Sequence, residues 1–304
     1  MTSRTQLEGK DIITRLHAHD KTLGAFATEI SSGTGKGKTS MLLSFAKYNM
    51  ENHPGEKNFF LEDFGVPLQS FKLGRENVQI WCRALDYNYV TTKGSVGRPN
   101  EVKTHHGPLL TFRDRDHKLK EVSPEEMGVQ WYYTYDELYD KASTTKLNVP
   151  VIYPRNTIFN LIQVAASKGE FSNFYIDEFS NVSPFGQSYK RSMKIANLLT
   201  ALRKDFVNIF YTVQSKTQVD WRTRAVVAIK IFGPGATADK KCRLVQKAID
   251  NLKVDTVDGS EFWIVEGGQF GLFRLKDIFE PLANCNIEIH VTKTAGEKTI
   301  DEDE

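Results

Sequence analysis

Apolar positions in this chain of 304 residues follow two alternating rhythms. Leu23 to Ser31 is a short apolar run ending in small residues, which predicts a strand, and Thr39 to Met50 repeats Met41, Leu42, Phe45 and Ala46 at helical spacing. Residues 58–90 contain two more apolar runs, of which "VQIWCRALDYNYV" is strand-like with imperfect alternation. Thr91 to Glu126 turns polar, rich in Gly, Pro, His and Lys, and predicts at most a short hairpin around "PLLTFRD". Beyond it the alternation is regular. "VPVIYP" predicts a buried strand, and "NTIFNLIQVAASKG" a helix with Asn156 as N-cap and Gly169 as stop. "FSNFYIDEFS", "VNIFYTVQS" and "AVVAIKIFG" predict strands, separated by the helix "YKRSMKIANLLTALRKD". "KKCRLVQKAIDNLK" predicts a helix and "EFWIVEGGQFGLFRL" a hairpin about Gly267 and Gly268. Alternating strands and helices imply an α/β domain, a mainly parallel sheet with helices on both faces, plus a polar insertion and a C-terminal hairpin. The expected organisation is one domain over 1–304, with a core at 23–66 and 149–280, an insertion at about 67–148 and an acidic, disordered tail at 292–304.

Composition narrows the class. A hydrophobic fraction of 40% fits a globular protein with a sizeable core. No run is long and apolar enough to span a bilayer, and the N-terminus lacks a signal-peptide core, so a cytoplasmic location is expected. Cys82, Cys242 and Cys285 are far apart and suggest neither a disulfide framework nor a zinc site. The net charge of +2 does not announce a nucleic-acid binder, yet residues 91–120 are locally basic.

The chemistry starts at "SSGTGKGKTS". Gly37, Lys38 and Thr39 match the second half of the phosphate-loop pattern, Gly-x-x-x-x-Gly-Lys-Ser/Thr, while Ser32 stands where the first glycine is usual. Small residues over Ser32, Gly33, Thr34, Gly35, Lys36 and Gly37 let the backbone turn its N–H groups around phosphate oxygens, and the helix from Thr39 and Ser40 adds its N-terminal dipole. Lys38 would reach the β- and γ-phosphates, and Thr39 would bind Mg²⁺. The bland alternative is a flexible glycine turn with a chance lysine. In "FYIDEF", Asp177 and Glu178 end an apolar strand: Asp177 can hold the Mg²⁺ shell opposite Thr39, and Glu178 can polarise a water for attack on the γ-phosphate. Two acids capping a core strand is the competing reading. Gln214 ends the following strand, where an amide can touch both the γ-phosphate and the water. Arg203, Arg222 and Arg224 are candidates for offsetting transition-state charge, each weighed against a surface salt bridge.

These pieces, in this order, resemble the FtsK/HerA superfamily of DNA-pumping ATPases over about residues 23–45 and 149–276. "SSGTGKGKT", "FYIDE", "LLTALRKDF", "NIFYTVQS" and "DWRTRAVVAIKIFG" carry the resemblance. It implies a RecA-like P-loop NTPase core, ATP and Mg²⁺ as cofactors, a homo-oligomeric, hexameric ring around double-stranded DNA, and an arginine supplied by the neighbouring subunit. Lacking recognisable accessory domains, the chain looks like the genome-packaging ATPases of tailless icosahedral viruses with internal membranes, docked at a capsid vertex or on a membrane protein. DNA contacts would then come from Lys190, Arg191 and Lys194 in "QSYKRSMK", or from the basic insertion with Arg113 and Arg115, gripping phosphates without reading bases. His105 and His106 have no acidic or cysteine partner at metal-ligand spacing. A motor for DNA transfer or segregation, an ATPase for protein secretion or virion assembly, and a non-catalytic nucleotide-binding scaffold remain alternatives.

Overall fold

In a computed structural model, the structure describes residues 25–62, 69–83, 88–95, 98–106, 109–113, 119–122, 128–151, 157–183, 189–202, 204–214, 219–237, 243–254, 260–266, 269–280, 282 and 288–292. In chain order the strands are β1 (Ala27–Ser31), β2 (Lys57–Leu61), β3 (Val78–Arg83), β4 (Asn88–Ser95), β5 (Arg98–His106), β6 (Leu109–Arg113), β7 (Leu119–Val122), β8 (Gln130–Tyr132), β9 (Leu147–Pro150), β10 (Ser172–Ile176), β11 (Val207–Val213), β12 (Ile229–Phe232), β13 (Glu261–Glu266), β14 (Gln269–Arg274) and β15 (Glu288–Thr292). The helices are α1 (Lys38–Asn52), α2 (Tyr135–Lys141), α3 (Ile158–Lys168), α4 (Tyr189–Ala201), α5 (Trp221–Ala225) and α6 (Arg243–Asp250).

Ten strands form one sheet in the order β14-β13-β12-β1-β11-β10-β2-β9-β3-β8. From β12 to β8 every pairing is parallel, and β13 and β14 add an antiparallel edge. The central strands are covered on both sides, which is why β10 and β11 read as continuous buried runs and not as alternating ones. Alternation reappears in which core each residue enters. Ile30, Phe60, Tyr175 and Phe210 pack with α1 and with Phe273 and Phe279. Phe59, Phe174, Ile176, Ile209 and Tyr211 pack with α2, α3 and α4. Aromatic rings stack across strands on both faces, Tyr175 on Phe210 at 5.2 Å and Phe59 on Phe174 at 4.9 Å. The glycine stop of α3 is as expected, with Gly169 at φ 65.

The expectations that differ concern the insertion. β3 and β8 come from the segment 67–148 and join the main sheet, so the part outside the core is shorter than that segment. Its remainder contains more strand than a short hairpin: β4 pairs with β5 over eight or nine residues each, and β6 lies between β7 and β15 in a separate sheet. β4 and β5, "NYVTTKGS" and "RPNEVKTHH", are largely polar, so no apolar period marks them, whereas β6 falls in the "PLLTFRD" stretch where a hairpin is expected. Asn156, Gly267, Gly268 and the tail beyond 292 lie outside the described residues.

A row of buried asparagines fixes the register. Asn58, Asn173 and Asn208 are cross-strand partners on β2, β10 and β11, each two per cent exposed or less. Asn208 Nδ2 donates to Asn173 Oδ1 at 3.0 Å, and Asn173 Nδ2 to Asn58 Oδ1 at 3.1 Å and Glu56 Oε2 at 2.9 Å. Phe26 N donates to Asn208 Oδ1, which closes the row against the entry to β1. A one-residue slip would bury these amides without partners, so the row selects one alignment. Asn173→Ala is expected to cost about 1–3 kcal/mol by orphaning Asn208 Nδ2, read by urea denaturation. A change under about 0.5 kcal/mol would show that the row contributes no net stability.

Candidate active site

The C-terminal ends of β1, β11 and β10 are adjacent, because β11 lies between the other two. This order brings three distant sequence segments to one edge, where an open parallel sheet places its ligands. Ser32 to Gly37 links β1 to α1, with Gly35 and Gly37 at φ 69 and 84, in the left-handed region that favours glycine. Gly37 is also the N-cap of α1, so the loop delivers the chain into the helix N-terminus. Lys38 Nζ donates to the carbonyls of Ser32 and Gly33, both at 3.0 Å, which holds the ammonium across the loop. Burial pushes its pKa below the ordinary lysine value, while Glu178 and Asp177 oppose the shift.

Thr39, Asp177, Glu178 and Gln214 meet through one hydrogen-bonded chain. Thr39 Oγ1 donates to Asp177 Oδ2 at 2.8 Å. Thr212 Oγ1 donates to Asp177 Oδ1 at 2.7 Å and accepts from Glu178 N at 2.9 Å. Gln214 Nε2 donates to Glu178 Oε2 at 2.8 Å, and Thr34 Oγ1 makes a long contact of 3.5 Å to Gln214 Oε1. Glu178 itself has φ 55 and ψ 61, a left-handed conformation costly for a residue with a side chain. That turn redirects the chain directly after Asp177, so the two carboxylates have different partners.

The hydroxyl of Thr39 beside the Asp177 carboxylate fits a magnesium ion that takes few protein ligands and completes its shell with water and phosphate oxygens. Among the described residues no group of three His, Cys, Asp or Glu that could hold a metal ion is present.

Three features of this edge escaped the sequence reading. Thr212 is a wholly buried hydroxyl in an apolar strand, two residues before Gln214; the lone polar residue in "IFYTV" is the available signal. The segment Gly233-Pro234-Gly235 after β12 backs the phosphate loop. Gly33 N donates to Pro234 O at 2.9 Å and Gly233 N to Ser31 O at 2.8 Å. A Cβ on Gly233 would lie 2.7 Å from Ser32 Cβ and 2.5 Å from the Phe262 ring. The side chain at position 32, where glycine is usual, therefore occupies space left by a glycine on the neighbouring segment.

The third is Glu62, at the end of β2 beside β10. It is buried and accepts from Gln69 N, Ser70 N and Ser70 Oγ. Burial raises its pKa to about 7, against the lowering effect of those donors, and nearby Asp177 adds to the rise. A raised carboxyl pKa means that the folded state binds the proton more tightly. Its contribution is full below the unfolded value of 4.5 and is lost as pH rises through about 7. Relative to Glu62→Gln, the parent should lose about 3 kcal/mol between pH 4.5 and about pH 8, from 1.36 kcal/mol per pKa unit. Parallel pH–stability curves for the two proteins would exclude this.

The arginines separate. Arg224 is buried, its Nε and Nη2 donating to Glu29 at 2.8 and 2.5 Å. This is an interior ion pair with β1, where the sequence offers Arg224 as a transition-state cation or a surface salt bridge. Arg222 stays half-buried at the surface, with Nη1 at 3.1 Å from Asp220 Oδ2 and its guanidinium over the Tyr189 and Trp221 rings. Among the described residues, its contacts do not include the phosphate loop. Arg203 and Arg115 lie outside the described residues. Lys190, Arg191 and Lys194 lie on α4, where Lys194 is exposed, and Arg113 is on β6.

No protein-family model and no curated protein matches the chain. Solved structures do. The genome-packaging NTPase B204 of Sulfolobus turreted icosahedral virus 2, in complex with sulfate, aligns over 83% of this chain and 96% of its own, with a TM-score of 0.50 and 11% identity. The N-terminal domain of zonular occludens toxin from Neisseria meningitidis covers 84% and 100%, with a TM-score of 0.36 and 13% identity. The pCW3 conjugation coupling protein TcpA covers 83% and 60%, with a TM-score of 0.39 and 13% identity. At such identities the likeness concerns the fold: the chain has the RecA-like P-loop NTPase fold, and shares it with that packaging NTPase.

Proposed function

We propose that this chain is an ATP-hydrolysing motor of the FtsK/HerA type that moves double-stranded DNA, most specifically a viral genome into its capsid, as a ring of identical subunits. The observation that carries the hydrolysis reading is the continuous chain from Thr39 through Asp177 and Thr212 to Glu178 and Gln214. In this reading the turn from Ser32 to Gly37 and the start of α1 bind the phosphates through backbone N–H groups, and Lys38 lies against the β- and γ-oxygens. Thr39 and Asp177 would hold Mg²⁺, which when bound offsets negative charge on the phosphates. Glu178 takes a proton from the attacking water as the water oxygen bonds the γ-phosphorus and the bond to ADP breaks. Gln214 orients the Glu178 carboxylate, so movement of its amide couples the γ-phosphate to β11 and to the segment that follows.

Two features support DNA as the polymer. The fold is that of a packaging NTPase, and the sequence of α4 carries Lys190, Arg191 and Lys194 with no acidic residue. A basic sequence without acids suits a phosphate backbone. A pure scaffold has no use for the strained backbone at Glu178. Among the described residues no helix is long and apolar enough to cross a membrane, so docking on a capsid vertex or membrane protein would be through a partner.

The test is ATP hydrolysis measured with and without duplex DNA, alongside the mass of the protein in ATP. Stimulation by duplex together with a ring-sized particle is the expected result. Robust hydrolysis indifferent to any DNA would remove the DNA-motor reading and leave an ATPase acting on another substrate.

A further inference from the structure

We propose that Thr212 is a positioning residue of the phosphate-loop site: its hydroxyl fixes which Asp177 oxygen faces Thr39 and holds the turn that aims Glu178. The roles of Asp177 and Glu178 in that statement rest on the hydrolysis reading above. Thr212 is the penultimate residue of β11 and is wholly buried. Its neighbours Tyr211 and Val213 pack with α2, α3 and α4, while Phe210 packs with α1. By alternation Thr212 follows Phe210 onto the α1 side of the sheet, the side that Tyr175 also faces. β10 and β11 pair in parallel with Ile176 opposite Tyr211, so the next step sets Asp177 beside Thr212. A hydroxyl buried in an apolar strand is costly unless it is bonded. Both hydrogen bonds of this one go to the site: Oγ1 donates to Asp177 Oδ1 at 2.7 Å and accepts from Glu178 N at 2.9 Å.

These bonds close a small ring. Glu178 N also donates to Asp177 Oδ1 at 3.2 Å, so that oxygen takes two donors, and Oδ2 accepts from Thr39 Oγ1 at 2.8 Å. A carboxylate can present either oxygen, and the Thr212 hydroxyl selects one. Thr39 and Asp177 are the residues that would hold Mg²⁺, and hydrogen bonds to a ligating carboxylate set its orientation. The second effect is on the backbone. Glu178, at φ 55 and ψ 61, keeps a left-handed conformation that persists only where its surroundings hold it. Thr212 Oγ1 accepts the N–H of that residue from one strand away. One hydroxyl therefore orients the acid of the metal pair and fixes the turn that carries the base.

Alignment of the strand does not need these bonds. Asn208, at the other end of β11, fixes its register through Asn173 and Phe26 N. Valine suits a buried strand as well as threonine does, so the hydroxyl serves the site and not the sheet.

The experiment compares the full chain with Thr212→Val, which keeps the branched shape without the hydroxyl, and Thr212→Ser, which keeps the hydroxyl. Thr212→Ala is a second hydroxyl-free variant, and urea unfolding checks that each protein folds. Each is loaded with a non-hydrolysable ATP analogue, and Mn²⁺, the metal probe, is titrated by the loss of its free electron-paramagnetic-resonance signal. Thr212→Val and Thr212→Ala should bind Mn²⁺ about 10–100-fold more weakly than the parent, and Thr212→Ser within about threefold of it. Affinity for the analogue without metal should stay close to the parent's in all three, because the phosphate loop and Lys38 are untouched. Hydrolysis at saturating Mg²⁺ gives the second readout: kcat of Thr212→Val should remain about tenfold or more below the parent, since the Glu178 turn is loosened. Mn²⁺ affinity and kcat equal to the parent's in Thr212→Val would overturn the proposal and leave the hydrolysis reading standing. A loss that Thr212→Ser shares would also overturn it, because the hydroxyl would not be the cause. If the parent binds Mn²⁺ with the analogue but does not hydrolyse ATP, and Thr212→Val alone of the Val and Ser variants loses the metal, the hydrolysis reading falls and the positioning of Asp177 stands. A parent that binds no Mn²⁺ beside the analogue would overturn both.

Discussion

Glu178→Gln is expected to lower ATP turnover about 10²–10⁴-fold while leaving nucleotide binding intact. The substitution keeps the length and shape of the side chain and removes its ability to take a proton. The backbone N of Glu178 would still donate to Thr212 Oγ1, so the turn after Asp177 persists. Thr39, Lys38 and the glycine loop are untouched, so a fluorescent ATP analogue should bind as it does to the parent. Single-turnover hydrolysis isolates the chemical step from product release. Turnover within tenfold of the parent would remove Glu178 as the base. Gln214→Ala provides the companion result. Gln214 donates to Glu178 Oε2 at 2.8 Å, and losing that bond releases the carboxylate from one orientation. It should reduce turnover less than Glu178→Gln, because the base itself remains.

The parts of this site that could be read from the sequence are those whose chemistry is written locally. Gly37-Lys38-Thr39 is a contiguous pattern, and Asp177 and Glu178 end a run too apolar to be anything but a buried strand. The parts that could not be read depend on which strands become neighbours. Thr212 acquires its role because β11 is inserted between β1 and β10, a topological fact absent from "FYTVQS". Gly233 looks like a turn glycine, and only the parallel pairing of Ser31 with Phe232 brings it against Ser32. The Ser32 departure from the usual pattern is thereby explained: the space for its Cβ is left on the facing segment. Nothing in the sequence singles out Glu62, and it is buried because Gln69 and Ser70 return to it. β3 reads as a strand in "VQIWCR", but its place in the main sheet follows only from its pairing with β9, while β8 is a three-residue edge strand with one buried position. The arginines of "DWRTRAVV" were indistinguishable in sequence. On α5 two residues are about 200° apart around the axis, so Arg222 and Arg224 point to opposite environments.

That difference gives the second large effect. Arg224→Ala should destabilise the fold by about 3–5 kcal/mol, because it strands the Glu29 carboxylate inside the protein. Glu29 is wholly buried on β1, two residues before Ser31, and Tyr211 also donates to it at 3.1 Å. Burial first, and then the Glu29 charge, keep the Tyr211 phenol well above its ordinary pKa, so it remains a donor. One neutral donor does not replace a two-pronged guanidinium. The loss is expected in urea or thermal unfolding, and turnover should fall only in proportion to unfolded protein. The double variant Glu29→Met with Arg224→Met removes both charges and should recover most of the stability, since replacing a buried pair with apolar side chains of similar volume is often close to neutral. A cation that acts across a subunit boundary would give the reverse pattern. Arg224→Ala would then unfold normally and lose turnover, and the double variant would be inactive at full stability. Because Glu29 belongs to the strand that delivers the phosphate loop, the ion pair ties α5 to that strand.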